Sequence, residues 1–137
     1  MDSQDIQRQH IINIPIRFRD RKTGEEMYKG KRPCVVINTD QDHIYIRTMT
    51  SQINKKDAKL YGVPIKKNLH NNLKKDSAIL CTKYNSAKID KNKVKNIEKI
   101  GQITEKQLFD TLSKSLACNR QQIQMRYRAS YGKGKSM

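Results

Sequence analysis

The chain has 137 residues, with 29 Lys and Arg against 13 Asp and Glu, a formal charge of +16 and a pI near 9.9. That length suits one compact domain plus a tail, and a charge surplus of this sign asks for an anionic partner, of which nucleic acid is the commonest. With 35% hydrophobic residues and a mean hydropathy of -0.90, no run nears the roughly 18 apolar residues of a membrane span. None has the apolar core of a signal peptide either, so a soluble, cytoplasmic protein is expected.

Residues 11–18, IINIPIRF, read as a first strand, with Pro15 marking an edge or a bulge. A charged loop, 19–31, follows with Gly24 and Gly30 as hinges. PCVVIN, 33–38, is a continuous apolar run of the kind a strand covered on both faces requires. After the turn TDQDH, the residues from Ile44 to Met49 alternate apolar and polar, which predicts an antiparallel hairpin with the preceding run.

QINKKDAKLYG has the makings of one or two helical turns stopped by Gly62, and VPIK of a short strand. Residues 67–76 form a basic, asparagine-rich loop, and SAILCTKY, 77–84, is the next strand. A short irregular stretch leads to a helix. It opens on a capping box of Thr104 with Gln107, and Leu108, Phe109, Leu112 and Leu116 are expected to face a sheet. The expected fold is mainly β (α+β): a small, mostly antiparallel barrel over 1–118 with a C-terminal helix, then a basic, partly disordered tail over 119–137.

Cys34, Cys81 and Cys118 are widely spaced without a CxxC pair, which argues against a disulfide framework and a zinc site. Cys34 and Cys81 lie in apolar strands as small buried thiols. His10, His43 and His70 are scattered, and acids are too few to suggest a Mg²⁺ centre. No metal and no cofactor are expected. GxSxG, P-loop and GxGxxG patterns are absent.

Three constellations remain. In Lys31-Arg32-Pro33 the proline biases Arg32 toward an extended backbone, and a planar guanidinium held there suits a phosphate. A solvated arginine at a strand entrance explains the tripeptide equally simply. In TMTSQ, Thr48 and Thr50 project to one face, and Ser51 to the other unless the strand has ended. Their hydroxyls could bind a phosphate or satisfy loose backbone groups. Lysine-rich loops (Lys55, Lys56 and Lys59; Lys66, Lys67, Lys74 and Lys75; Lys88, Lys91, Lys93 and Lys95) interleave with Tyr28, Tyr61 and Tyr84. Those rings could stack on unpaired bases or fill the core.

The order of these pieces resembles the PemK/MazF-like toxin family of ribosome-independent mRNA interferases. KRPCVVINTD is similar to the family's Arg-Pro-apolar strand, and IRTMTSQ to the next strand with its terminal hydroxyl pair. LKKDSAILC resembles the approach to the "DSVxLCDQ"-type motif, and IDK with IGQITEKQLFDTLSKSL the family's ending and C-terminal helix. The likeness spans about residues 32–116. The chain departs from the pattern in lacking a Gly-Asp/Glu-apolar first strand and in carrying Thr82-Lys83 where the family usually has an acid and Gln. About two extra residues precede IDK.

The resemblance implies an SH3-like barrel, usually a homodimer, that cuts single-stranded RNA without metal to leave a 2′,3′-cyclic phosphate and a 5′-hydroxyl. Carried over by position, Arg32 is the catalytic cation and Thr50 orients the scissile phosphate, with Ser51 beside it. Gln52, Lys55 and Lys56 follow as RNA-binding candidates, and Lys31 and Lys83 are added on charge alone. The cognate antitoxin is an acidic, disordered protein segment or, as in ToxN-like type III toxins that share the barrel, a structured RNA. The rival readings are a non-catalytic RNA-binding barrel, because fold does not fix chemistry, and a membrane-surface protein with charge alone behind it.

Overall fold

The computed structural model describes residues 5–19, 23, 26–94 and 97–119, the side chains of 16–19, 26–30 and 84 excepted. The expectations for Gly24, for the rings of Tyr28 and Tyr84, for Lys95 and for the tail beyond 119 lie outside that description.

β1 (His10–Arg19) and β2 (Glu26–Thr39) form a long antiparallel hairpin, and β3 (His43–Thr50) returns along β2. A short helix α1 (Lys56–Tyr61) leads into β4 (Gly62–Ile65), which pairs with β5 (Ser77–Leu80). β6 (Ser86–Asp90) and β7 (Glu98–Gln102) precede the C-terminal helix α2, residues 105–119. The seven strands make one curled antiparallel sheet in the order β4-β5-β3-β2-β1-β7, with β6 also on β3. This is the expected small barrel, open as a half-barrel, with its C-terminal helix.

The apolar run of β2 explains why both sheet faces are covered. Cys34, Val35 and Val36 are fully buried and Ile37 is 7% exposed. Alternation sends Val35 and Ile37 into one core with Ile11, Met49 and Ile79, and Cys34 and Val36 into a second with Ile12, Ile44 and Ile46. Pro15 sits at a bulge, where the β1–β2 register slips between Pro15 and Arg17; β1 is flanked by β2 and β7, so it is not an edge.

Four sequence expectations need correction. The 19–31 loop is shorter than expected, because β2 already begins at Glu26, paired along its backbone with β1. β5 stops at Leu80, and Lys83–Asn85 form a 3₁₀ turn. The stretch before the helix is not irregular, since SAKID and EKIGQ are both strands. The fourth concerns α2. Its capping box is present, with the Thr104 N–H donating to Gln107 Oε1 (2.9 Å) and the Gln107 N–H to Thr104 Oγ1 (3.1 Å). Its buried stripe, however, is Leu108, Thr111, Ser115 and Cys118, while Phe109, Leu112 and Leu116 are 69%, 38% and 60% exposed. Small polar residues let the helix approach the sheet, where Arg47 Nε donates to Ser115 Oγ (3.3 Å) and Cys81 Sγ to the Thr111 carbonyl (3.7 Å).

Candidate functional site

β2 and β3 bring the sequence candidates together where β3 ends beside the middle of β2, but not on one face. Their pairing runs Val36↔Ile46, Val35↔Arg47, Cys34↔Thr48. Past that pair β2 continues to Arg32, which pairs with Ile14 of β1, and β3 to Thr50, which pairs with Ala78 of β5, each two residues further on. Both then belong to the face of Cys34 and Thr48, over the second core. Arg32 is half-buried, and among the described residues no hydrogen bond or ion pair engages its guanidinium. Cys34 beneath it donates its Sγ–H to the Arg32 carbonyl (3.5 Å), and burial pushes that thiol up to about 12 although the arginine charge pulls the other way. Cys34 therefore stays a neutral thiol in the second core.

The two threonines are used differently. Thr48 spends its hydroxyl proton on Asn85 Oδ1 (3.0 Å), and Asn85 Nδ2 donates in turn to Thr82 Oγ1 (2.7 Å). That network pins the 3₁₀ turn at the point where β3 changes its outer partner from β6 to β5. Thr50 instead accepts, from the Gln52 N–H at 3.1 Å, so its own proton remains available to a phosphate oxygen. Lys83 opens the 3₁₀ turn and is exposed. Gln52, Lys55 and Lys56 are exposed just past β3, with Lys55 at the N-cap of α1.

Lys31 and Ser51, immediate neighbours of Arg32 and Thr50 in sequence, lie on the other side. They line a cleft of about 510 Å³ together with Pro33, Ser77 and the 72–75 segment. Sequence reasoning missed Asn85, 37 residues beyond Thr48 by number, and named Thr82 only as part of the Thr82-Lys83 departure from the family motif. It missed the cleft too; Lys74 and Lys75 had been noticed as charge alone. Tyr61 packs against the first core, so core filling is its role. Among the described residues the one close acid–base contact joins His43 Nδ1 and Asp40 Oδ1 (3.3 Å), and the described lysines have no carboxylate partner. No three His, Cys, Asp or Glu side chains converge among the described residues. No described helix is long and apolar enough to cross a membrane.

Comparison with known proteins adds the family. No curated protein sequence matches the chain. A solved structure, MazE-MazF (Form-II) from Deinococcus radiodurans, contains a chain of similar fold: TM-score 0.53, 14% identity, covering 80% of this chain and 91% of that one. The sequence profile of the family described as "PemK-like, MazF-like toxin of type II toxin-antitoxin system" matches residues 7–117. With that match over most of its length, the chain belongs to the PemK-like, MazF-like toxins of type II toxin-antitoxin systems.

Proposed function

We propose that the protein is a metal-independent endoribonuclease that cleaves single-stranded RNA, acting as the toxin of its pair. The observation that carries this reading is that Arg32, in the middle of β2, and Thr50, at the end of the adjacent β3, each lie two residues beyond the Cys34↔Thr48 pair, on the same face of the sheet. The ribose 2′-hydroxyl attacks the adjacent phosphorus as its proton passes to water, and the 5′-oxygen leaves and takes up a proton from water, giving a 2′,3′-cyclic phosphate and a 5′-hydroxyl end. Negative charge builds on the phosphoryl oxygens in that transition state. The Arg32 guanidinium, held extended by Pro33, offers planar donors to it. Thr50 donates its hydroxyl proton to a nonbridging oxygen and orients the phosphate. Lys83, Lys55 and Lys56 draw the polyanion in with Gln52 beside them, and Ser51 stands just past the end of β3, on the cleft side.

The cognate antitoxin is then a protein with an acidic segment that covers these cations, in keeping with the type II family and with the MazE partner in the Deinococcus complex. The charge of +16 favours a second reading, a structured RNA antitoxin, whose affinity would fall steeply with salt. The toxin acts in the cytoplasm as a homodimer, with the barrel domain over 1–118 and a basic tail over 119–137. Pure protein incubated with single-stranded RNA in EDTA should produce fragments with 5′-hydroxyl and cyclic-phosphate ends. RNA that stays intact across varied sequences would defeat the proposal.

A further inference from the structure

The cleft on the Lys31 side has a composition that the cleavage step does not use. Lys31, Lys74, Lys75 and Lys99 stand around it, with one acid, Glu98. Pro33, Leu73 and Ile100 give it an apolar wall, and Leu73 and Ile100 pack on the first core behind. Asn72 and Asn13 add side-chain amides, Asn13 Nδ2 donating to Glu98 Oε2 at 3.4 Å. Cations for a phosphate, an apolar wall for a ring face and amides for a ring edge together match one nucleotide, and about 510 Å³ gives it room.

The wall is built rather than loose. Asn71 is fully buried; its Oδ1 accepts from the N–H groups of Asn68 (2.9 Å) and Leu73 (3.1 Å), and its Nδ2 donates to the Lys66 carbonyl (2.8 Å). The loop is fastened to β7 by the Gln102 N–H on the His70 carbonyl (3.1 Å). It can lie that close because Gly101 has no side chain: a Cβ there would meet the Asn71 carbonyl oxygen at 2.4 Å. Asn72 follows at φ 52°, and Leu73 to Lys75 line the cleft together with Glu98 to Ile100 of β7.

The position also fits a strand of RNA. Consecutive Cα atoms are about 3.8 Å apart, so Lys31 and Ser51 carry the cleft directly behind the Arg32 and Thr50 face. β3 ends at Thr50, which leaves a way round from one face to the other past Ser51 and Gln52. We infer that this cleft is a subsite for a nucleotide flanking the scissile phosphate, its base against Leu73 and Ile100 and its phosphate on Lys31, Lys74 and Lys75. The inference rests on the ribonuclease reading above. An acidic peptide fits less well, because Glu98 would repel it yet accepts a hydrogen bond from a base's exocyclic amine.

The test uses the full chain and synthetic RNA: a dinucleotide with one scissile phosphate, and oligomers extended from it on the 5′ or 3′ side. Uncleavable all-2′-deoxy versions report binding by fluorescence anisotropy. Lys74→Ala with Lys75→Ala should cut the affinity gained by extension on one side about tenfold and lower the salt slope by roughly 1.4. Its effect on dinucleotide turnover should be several-fold smaller. Asn72→Ala should alter the preference for the flanking base. Equal losses on the dinucleotide and on both extensions, or no loss anywhere, would overturn the subsite, as would an oligoglutamate peptide displacing the oligomers better than a mononucleotide. Intact RNA with wild-type protein would defeat the ribonuclease reading, while anisotropy still reads the cleft independently. Unchanged circular-dichroism melting of the variants separates these outcomes from unfolding.

Discussion

The two sides of the sheet where β3 ends beside the middle of β2 are built from the same few residues and prepared for different work. On one side Arg32 and Thr50 stand over a core of Ile12, Ile44 and Ile46, with a guanidinium that no described residue engages and a hydroxyl whose proton is unspent. On the other, one residue away along each strand, Lys31 and Ser51 open into a cleft walled by a loop with its own buried asparagine. Strand alternation separates a rigid, planar cation from a flexible one and assigns them to opposite sides. Chemistry belongs where geometry is fixed, and attraction where a polyanion only has to be held.

The largest effect that would sharpen this contrast is on Arg32. Arg32→Lys keeps the charge but not the fork of donors, so the RNA cleavage rate at saturating substrate should fall roughly 10²–10³-fold. Next comes the difference between the threonines. Thr50→Ala should slow cleavage about 10–100-fold by removing a hydrogen bond to a charged group, with little change in melting temperature. Thr48→Ala should do the reverse, costing about 1 kcal/mol in denaturant unfolding through the lost Asn85 contact.

Gly101→Ala breaks the other side. The new Cβ collides with the Asn71 backbone, so the loop must move, at about 1–3 kcal/mol of stability, and binding of extended oligomers should weaken with it. The smallest effect is a pH dependence. Burial, with the Lys99 charge second, holds His10 below its ordinary 6.5, and its Nδ1 accepts from the Gln7 N–H (3.1 Å). Above 6.5 the imidazole is neutral folded and unfolded, so it adds no pH slope. Below 6.5 the unfolded chain binds the proton more readily, so the melting temperature should drop as pH falls. Lys99→Ala, from the cleft, should reduce that drop.

Much of this was legible in the sequence where side chains decide structure. The PCVVIN run, the alternation through Met49, the Gly62 stop and the Thr104–Gln107 box each became the element they signalled. SAKID and EKIGQ did not announce themselves, because their strands are held by backbone pairing to β3 and β1 and carry charged, largely exposed side chains. The helix face was misjudged for a related reason: hydrophobicity pointed to Phe109, Leu112 and Leu116, but close approach to the sheet favoured Thr111 and Ser115. In the site, local spacing could set Thr48 with Thr50, yet could not tell which hydroxyl was occupied. Asn85 decides that, and nothing near it in sequence says so.

The most direct measurement compares Arg32→Ala with Lys31→Ala in single-turnover cleavage of single-stranded RNA in EDTA, over a range of RNA concentrations. Neighbours in sequence, they sit on opposite sides of the sheet. Arg32→Ala should lose its rate at saturation by roughly 10²–10³-fold with half-saturation little changed, whereas Lys31→Ala should mainly raise the half-saturating concentration. Equal losses of the saturating rate in both variants, or cleavage that survives Arg32→Ala, would contradict the division of labour between the two faces.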